Sequence, residues 1–162
     1  MVPTVTPLLF LDVDGPLIPF GASGREYPTY APRPPRAVSP LLARLDPAQG
    51  PRLAALPYEL VWATTWEDDA NTWIAPRLGL PALPLVRWPE DGPEPPVGVH
   101  WKTPGLVAWA DGRPFAWVDD EIGAADRAWV AAHHPGRALL HRVDPRQGLT
   151  SGDFLRLAGW VG

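Results

Sequence analysis

The sequence predicts an α/β fold with a mostly parallel sheet and helices on both of its faces. Short apolar runs recur along the chain and are separated by segments that carry helix-start signals. Runs that are apolar throughout are typical of strands buried on both faces. Their alternation with helices indicates a parallel sheet. The predicted strands are residues 6–13, 58–63, 83–86, 115–118 and 138–143.

Local signals at the ends of the intervening segments predict the helices. Ser39 and Asp46 each precede a proline, which pairs an N-cap side chain with a residue suited to the first helical turn. Thr150 and Asp153 form a capping-box pattern. Gly79 lies where a C-terminal glycine ends a helix. The predicted helical segments are short pieces within 39–56, then 66–78, 103–112, 121–133 and a last helix from residue 150.

Length and composition indicate one folded domain over residues 1–162, and hydrophobic residues make up 46% of it. The 23 prolines and 15 glycines approach the content typical of disorder. Many of these residues lie in the connections 15–35 and 89–98, which we interpret as proline-stiffened loops. The 9 tryptophans also favour a packed core, because disordered chains contain few aromatic residues.

Charge and cysteine content exclude several classes of function. A net charge of −4 argues against a protein that coats nucleic acid, although it leaves room for a local basic patch. The absence of cysteine excludes disulfides, thiolate metal sites and cysteine nucleophiles. The first residues lack a basic segment, and acids interrupt their apolar run, so we expect neither a signal peptide nor a membrane span. We therefore expect a soluble, cytoplasmic protein.

Two pairs of acids follow predicted strands. Asp12 and Asp14 point the same way if the strand continues to them, and Gly15 permits a sharp exit. Alone, the tetrapeptide Asp-Val-Asp-Gly at residues 12–15 fits a Mg²⁺ site or a solvated turn equally well. Asp119 and Asp120 alone fit a helix N-cap. Together, the four carboxylates would repel one another unless a cation neutralised them, which favours the metal site.

Two further polar residues occupy suggestive positions. Lys102 lies just before a predicted helix, and although a lone lysine is usually a surface residue, a site of carboxylates and phosphate needs such a cation. Thr64 ends the second predicted strand. Its hydroxyl can bind a phosphate oxygen beside the N–H groups of a helix start, or it can act as an N-cap. Thr65 is the alternative to Thr64 for the same role.

The order of these motifs resembles the haloacid dehalogenase superfamily. The DxDG sequence after the first strand, Thr64 after the second, Lys102 before a later helix and the acid pair after 115–118 follow the family pattern over residues 8–121. The chain is also similar to the small capless members grouped with the phosphatase domains of RNA repair proteins. The resemblance implies a Rossmann-like fold. The loops 15–35 and 79–101 are too short for a large cap domain, so we expect an open site.

The resemblance implies a role for each matching residue. Asp12 corresponds to the nucleophile that forms an aspartyl-phosphate. Asp14 corresponds to the general acid and base, which protonates the leaving oxygen and later deprotonates water. Thr64 would bind the transferred phosphoryl group, and Lys102 would stabilise Asp12 and the developing charge.

The resemblance also implies a Mg²⁺ site. Asp12, the main-chain carbonyl of Asp14 and Asp120 would hold the ion, with Asp119 in support. Pro16 is a departure, because the family commonly has threonine or valine there. The acid at Asp14 argues against dehalogenation, since breaking a carbon–halogen bond needs no proton donor at that place.

These roles imply a Mg²⁺-dependent phosphatase acting on a phosphomonoester, either a small molecule or the phosphate at the end of a larger one. The alternatives are a nucleic-acid end phosphatase and a non-catalytic phosphate-binding module. The presence of both Asp12 and Asp14 speaks against the non-catalytic alternative.

Several residues near these motifs have two interpretations each. Trp66 and Trp101 either stack on a base or sugar or belong to the core. His100 either contacts substrate or is an ordinary loop histidine. The loop after Gly15 either recognises substrate or forms a solvated flap. Its candidate recognition residues are Arg25, Tyr27, Tyr30, Arg33 and Arg36.

Overall fold

Four parallel strands form one sheet in the computed structural model, which describes residues 5–24, 26–92 and 94–161. The strand order is β2-β1-β3-β4, and every neighbouring pair is parallel. This confirms the α/β class and the parallel sheet. The strands are β1 (Leu8–Leu11), β2 (Glu59–Trp62), β3 (Phe115–Asp119) and β4 (Ala138–Arg142).

Helices cover both faces of this sheet. None of the helices within the described ranges is long and apolar enough to cross a membrane. A 3-10 helix (Pro40–Arg44) is followed by α1 (Gln49–Ala54), a π-helical turn (Ala70–Ile74) leading into α2 (Ala75–Leu78), α3 (Thr103–Ala110), α4 (Ala124–His133) and α5 (Ser151–Val161).

The sheet separates two apolar cores, because alternate residues of β1 point to opposite faces. Leu9 and Leu11 pack in the core that contains buried residues of α1, α2 and α5. Leu8 and Phe10 pack in the core that contains buried residues of α3 and α4. This two-layer covering explains why every residue of β1 is apolar and buried.

The predicted caps at Ser39 and at Thr150 with Asp153 are confirmed, whereas Asp46 closes the turn before α1, whose N-cap position is Ala48. The side chains of Ser39 and Asp46 each accept a hydrogen bond from the main-chain N–H two residues later, at 3.3 and 2.9 Å. At the start of α5, the N–H of Thr150 donates to Asp153 Oδ2 at 2.7 Å, and the N–H of Asp153 donates to Thr150 Oγ1 at 3.4 Å. These contacts satisfy N–H groups that have no partner within the helix.

The predicted strand at 83–86 is wrong. Leu85 forms only an isolated bridge with Trp62, whose N–H donates to Pro84 O and whose carbonyl accepts from Val86 N. Proline has no N–H to donate, so Pro84 prevents this pairing from extending into a ladder. The predicted strand at 115–118 is therefore the third strand of the sheet rather than the fourth.

The predicted helix at 66–78 begins at residue 68 and contains a π-helical turn. Ala75 N donates to the carbonyl of Ala70, five residues earlier. Pro76 follows directly, and because it lacks an N–H it interrupts the α-helical pattern of hydrogen bonds at this point. Gly79 ends the segment in the left-handed region, as predicted, with φ of +68°.

Candidate active site

The carboxyl ends of β1 and β3 lie side by side at one edge of the sheet. Leu11 of β1 pairs with Val118 of β3, and the N–H of Asp12 donates to Val118 O at 3.1 Å. Asp12 therefore leaves β1 beside Asp119, the last residue of β3. Ligands of open parallel sheets bind beyond this edge, so the fold presents both acids where a ligand would bind.

Asp12, Asp119 and Asp120 form a cluster in which one carboxylate oxygen of each lies within 4.8 Å of the others. Asp12 and Asp119 are buried, and Asp120 is partly buried. Burial, reinforced by the neighbouring Asp119, raises the pKa of Asp12 to about 8 and that of Asp120 to about 6. Full ionisation of the cluster at neutral pH therefore requires additional positive charge.

Lys102 provides part of that charge. Its Nζ donates to Asp12 Oδ1 at 3.0 Å and to Asp119 Oδ2 at 2.9 Å, and only 5% of its side chain is exposed. Burial alone would lower the pKa of Lys102, but the two carboxylates outweigh burial and raise it. When Asp12 and Asp119 are both ionised, the single ammonium group leaves a net negative charge in the site.

Asp126, at the start of α4, holds the segment that carries Lys102. Its buried Oδ1 accepts from His100 N and from Thr103 Oγ1, both at 2.7 Å. Its Oδ2 accepts from Gly123 N at 2.9 Å. These contacts tie the main chain on both sides of Lys102 to α4. Sequence reasoning missed Asp126, whose only local signal was that of an ordinary capping acid in a first helical turn.

Asp14 lies at the exposed rim of the site. Its Oδ2 accepts from the indole N–H of Trp66 at 3.1 Å, so Trp66 orients an acid of the site. The adjacent Gly15 has φ of +107°, a region that L side chains rarely adopt. A Cβ at Gly15 would lie 2.8 Å from Cγ of Asp120, so both conformation and space require glycine here.

Pro16 occupies a tight turn that needs no N–H at that position. Leu17 N and Ile18 N both donate to Val13 O at 3.0 Å, so the chain reverses around Pro16. The carbonyl of Pro16 accepts from Leu149 N at 2.8 Å, which ties the turn to the segment before α5. The fold thus accommodates a proline at position 16 without a lost hydrogen bond.

The two threonines after β2 have different surroundings. Thr64 is buried, and its Oγ1 accepts from Trp66 N at 3.2 Å within the turn that precedes the helix, so it is not the N-cap of that helix. Thr65 is exposed and lines the same cleft as Asp12 and Asp14. The structure therefore brings Thr65 to the cleft wall and Thr64 just behind it.

A cleft of about 190 Å³ opens over the carboxylate cluster. Pockets that enclose a drug-sized molecule measure about 300–1,000 Å³, so this cleft suits a small polar group rather than a whole organic ester. The residues that line it are Asp12, Asp14, Phe20, Thr65, His100, Trp101, Lys102, Asp119, Asp120 and Glu121.

His100 belongs to the cleft wall and has a defined tautomer. Its Nδ1 accepts from Lys102 N at 3.1 Å, so the neutral ring carries its proton on Nε2. Nε2 lies 2.7 Å from Glu121 Oε2 and donates to it. Of the two interpretations of His100, the structure therefore favours a residue of the site.

The described tyrosines and arginines of the loop after Gly15 do not line this cleft. Arg33 and Arg36 line a separate depression, and Tyr27 and Tyr30 line another. Arg25 lies outside the described residues. For Arg33 and Arg36, this placement favours a solvated flap over a role in substrate recognition.

Comparisons of the chain with protein-family models, with curated proteins and with solved structures found no match. The likeness to the haloacid dehalogenase superfamily therefore rests on the motifs themselves. The chemistry of the site has to follow from its own geometry and charge.

Proposed function

We propose that this protein is a Mg²⁺-dependent phosphoric monoester hydrolase with the haloacid dehalogenase type of fold. The proposal is carried by the placement of Asp12, Asp119, Asp120 and the buried Lys102 at the carboxyl edge of a parallel sheet. The cluster consists of carboxylate oxygens, which are hard donors of the kind Mg²⁺ prefers. Its unbalanced negative charge also favours a divalent cation, so the donor set fits Mg²⁺.

Asp12, Asp120 and the main-chain carbonyl of Asp14 are the proposed ligands. Asp119 is the supporting acid, because its Oδ2 accepts from Lys102 and its Oδ1 accepts from Glu121 N at 3.0 Å. Mg²⁺, when bound, neutralises charge on the phosphoryl oxygens and holds the group next to the nucleophile.

The proposed reaction has two steps at one phosphorus atom. In the first, an oxygen of Asp12 attacks phosphorus, the bond to the ester oxygen breaks, and Asp14 gives its proton to the departing alcohol. In the second, Asp14 takes a proton from water, whose oxygen attacks the phosphorus of the aspartyl-phosphate. The bond to Asp12 then breaks, which releases inorganic phosphate and regenerates the carboxylate.

The surrounding residues orient the two reacting acids. Lys102 holds Asp12 by a 3.0 Å hydrogen bond and offers positive charge to the phosphoryl oxygens as they gain charge. Trp66 orients Asp14 through its indole N–H. Thr65 at the cleft wall, or Thr64 behind it, is proposed to bind a phosphoryl oxygen.

An assay of aryl phosphate hydrolysis with Mg²⁺ and with EDTA tests this proposal. We expect turnover only with Mg²⁺, and a loss of at least about a thousandfold in kcat for Asp12→Asn, because an amide is not a nucleophile toward phosphorus. Binding of inorganic phosphate without turnover of any ester in a broad panel would instead indicate a phosphate-binding module. Substantial turnover by Asp12→Asn would exclude Asp12 as the nucleophile.

A further inference from the structure

We infer that the leaving group of the substrate is uncharged and carries an aromatic ring, which packs against Trp101 and Phe20 at the mouth of the cleft. This inference rests on the proposed function and names its substrate class. Both residues line the cleft, yet 45% of Trp101 and 39% of Phe20 remain exposed. Large apolar side chains left exposed beside a polar cleft are typical of a binding surface.

The position of Trp101 places its ring next to the reacting group. Lys102 Nζ lies 5.7 Å from the centroid of the Trp101 ring and 3.0 Å from Asp12 Oδ1. Lys102 thus lies between the Trp101 ring and the carboxylate that would attack phosphorus. A leaving group attached to that phosphorus can therefore reach the Trp101 ring. Because the cleft measures only about 190 Å³, the rest of the ester must extend past its mouth, where Trp101 and Phe20 lie.

Trp101 is held as a fixed surface. Its ring packs edge-to-face with Trp88 at 5.0 Å between centroids and lies against His100 at 5.4 Å. Trp88 is itself anchored, because its indole N–H donates to Thr64 O at 3.1 Å. A ring that is already immobilised loses little conformational entropy when a ligand stacks on it.

Charge at the rim of the cleft argues for an uncharged leaving group. Asp14 is exposed there, and 64% of the Glu121 side chain is exposed. Among the described residues that line the cleft, Lys102 is the only lysine or arginine, and it is buried beneath the carboxylates. A polynucleotide end would bring further phosphates against this acidic rim, where none of the described residues that line the cleft is an exposed lysine or arginine able to receive them. The geometry instead favours an aryl phosphate or a single nucleoside phosphate.

The test compares KM for three probes in Mg²⁺: 2-naphthyl phosphate, adenosine 5′-monophosphate and glycerol 1-phosphate. Removing a stacking ring costs about 1–3 kcal/mol, so we expect Trp101→Leu to raise KM for the ring-bearing probes about fivefold or more relative to glycerol 1-phosphate. The KM of each variant is divided by the wild-type KM for the same probe, which cancels differences in leaving-group reactivity between probes. Trp109→Leu, at a tryptophan outside the cleft with 37% exposure, is the matched control.

The two ring-bearing probes identify the source of the ring. An effect confined to 2-naphthyl phosphate indicates an aryl ester, and one confined to adenosine 5′-monophosphate indicates a nucleoside. Equal changes in KM for all three probes in both Trp101→Leu and Phe20→Leu would overturn the inference. Preference of the wild type for a 5′-phosphorylated oligonucleotide over the mononucleotide would also overturn it.

A binding measurement separates this inference from the proposed function. Titration with 2-naphthylmethylphosphonate and with ethylphosphonate, both non-hydrolysable, reports on the ring without turnover. If the wild type hydrolyses no ester but binds the naphthyl compound more tightly, and Trp101→Leu removes that difference, the proposed function fails and the ring-binding surface stands. If esters are hydrolysed but the two phosphonates bind equally, the ring-binding surface fails and the proposed function stands.

Discussion

The Lys102 ammonium group donates hydrogen bonds to both Asp12 and Asp119, and these contacts indicate different roles for the acids of the site. Asp119 has both oxygens engaged, one by Lys102 and one by the N–H of Glu121. Asp120 contributes an oxygen to the same cluster but is only partly buried. The second acid of the pair is therefore the better candidate for a direct metal ligand, and the first is the better candidate for fixing the lysine.

Substitutions of the acid pair should separate these two roles. We expect Asp120→Ala to weaken Mg²⁺ affinity at least about tenfold, a loss of about 1.4 kcal/mol. Asp119→Ala should lower Tm more, because it removes a buried partner of Lys102. Mg²⁺ titrations and thermal unfolding of both variants measure these effects. A larger loss of Mg²⁺ affinity in Asp119→Ala would transfer the ligand role to Asp119.

Asp14 should matter most where the departing group needs a proton. General acid catalysis contributes about 10²–10⁴-fold, and it contributes most when the leaving oxygen is basic. We therefore expect Asp14→Asn to lower kcat much more with an alkyl phosphate than with 4-nitrophenyl phosphate, whose phenolate departs unprotonated. Trp66→Phe, which keeps an aromatic ring but removes the indole N–H that orients Asp14, should show a smaller bias in the same direction. Equal losses on both substrates would contradict the assignment of Asp14 as general acid.

At the scale of elements, the features that the sequence predicted are those set by local chemistry. Unbroken apolar runs identified β1 and β3 because both faces of the sheet are covered, and side-chain caps identified the start of α5. The segment 83–86 has the same apolar appearance, but Pro84 limits it to one bridge with β2. A pattern of apolar residues does not reveal that Pro84 lacks an N–H, and this explains why a strand was wrongly predicted at 83–86.

The acids at the strand ends were predictable for a related reason. Parallel neighbours bring their carboxyl ends to one edge, so Asp12 and Asp119 had to approach each other once β1 and β3 paired. Asp126 was not predictable, because its role appears only when the start of α4 packs against His100 and Thr103, more than twenty residues earlier. The partner of Trp66 likewise depends on the turn after β1, which no local pattern specifies.

Asp126 joins α4 to the segment that carries Lys102, so its replacement should affect stability and catalysis together. Asp126→Ala leaves three donors without their acceptor, at a cost of about 1–3 kcal/mol for each one that stays buried. We expect a lower Tm and a kcat reduced about tenfold or more, with Mg²⁺ affinity little changed, because Lys102 loses its fixed position.

Asp126→Asn is the control for this substitution, because it keeps an acceptor for His100 N and Thr103 Oγ1 and loses the one for Gly123 N. It should restore most of kcat and only part of Tm. Wild-type kcat in Asp126→Ala, measured well below its Tm, would show that Asp126 only stabilises the fold.

At the scale of the whole molecule, the uncompensated charge of the site should govern how stability depends on pH. The pKa of Asp12 rises from 3.8 to about 8 on folding, and that of Asp120 rises from 3.8 to about 6. The folded state thus holds these protons more tightly than the unfolded state does. Their stabilising contribution is complete below pH 4. It is lost as the pH rises through about 6 for Asp120 and about 8 for Asp12.

The metal-free protein should therefore have a lower Tm at pH 8 than near pH 5, and Mg²⁺ should reduce the difference by stabilising the ionised cluster. Asp12→Asn mimics the protonated acid and leaves Lys102 paired with Asp119 alone. In EDTA at pH 8 we expect this inactive variant to have a higher Tm than the wild type, by a few degrees for each kcal/mol gained. Near pH 5, where Asp12 is already protonated in the folded wild type, the difference in Tm should shrink.

Thermal unfolding of both proteins from pH 5 to 8, with EDTA and with Mg²⁺, measures this difference in Tm. A wild-type Tm in EDTA that stays level or rises over this range, with Asp12→Asn running parallel to it, would show that the ionised cluster carries no excess charge.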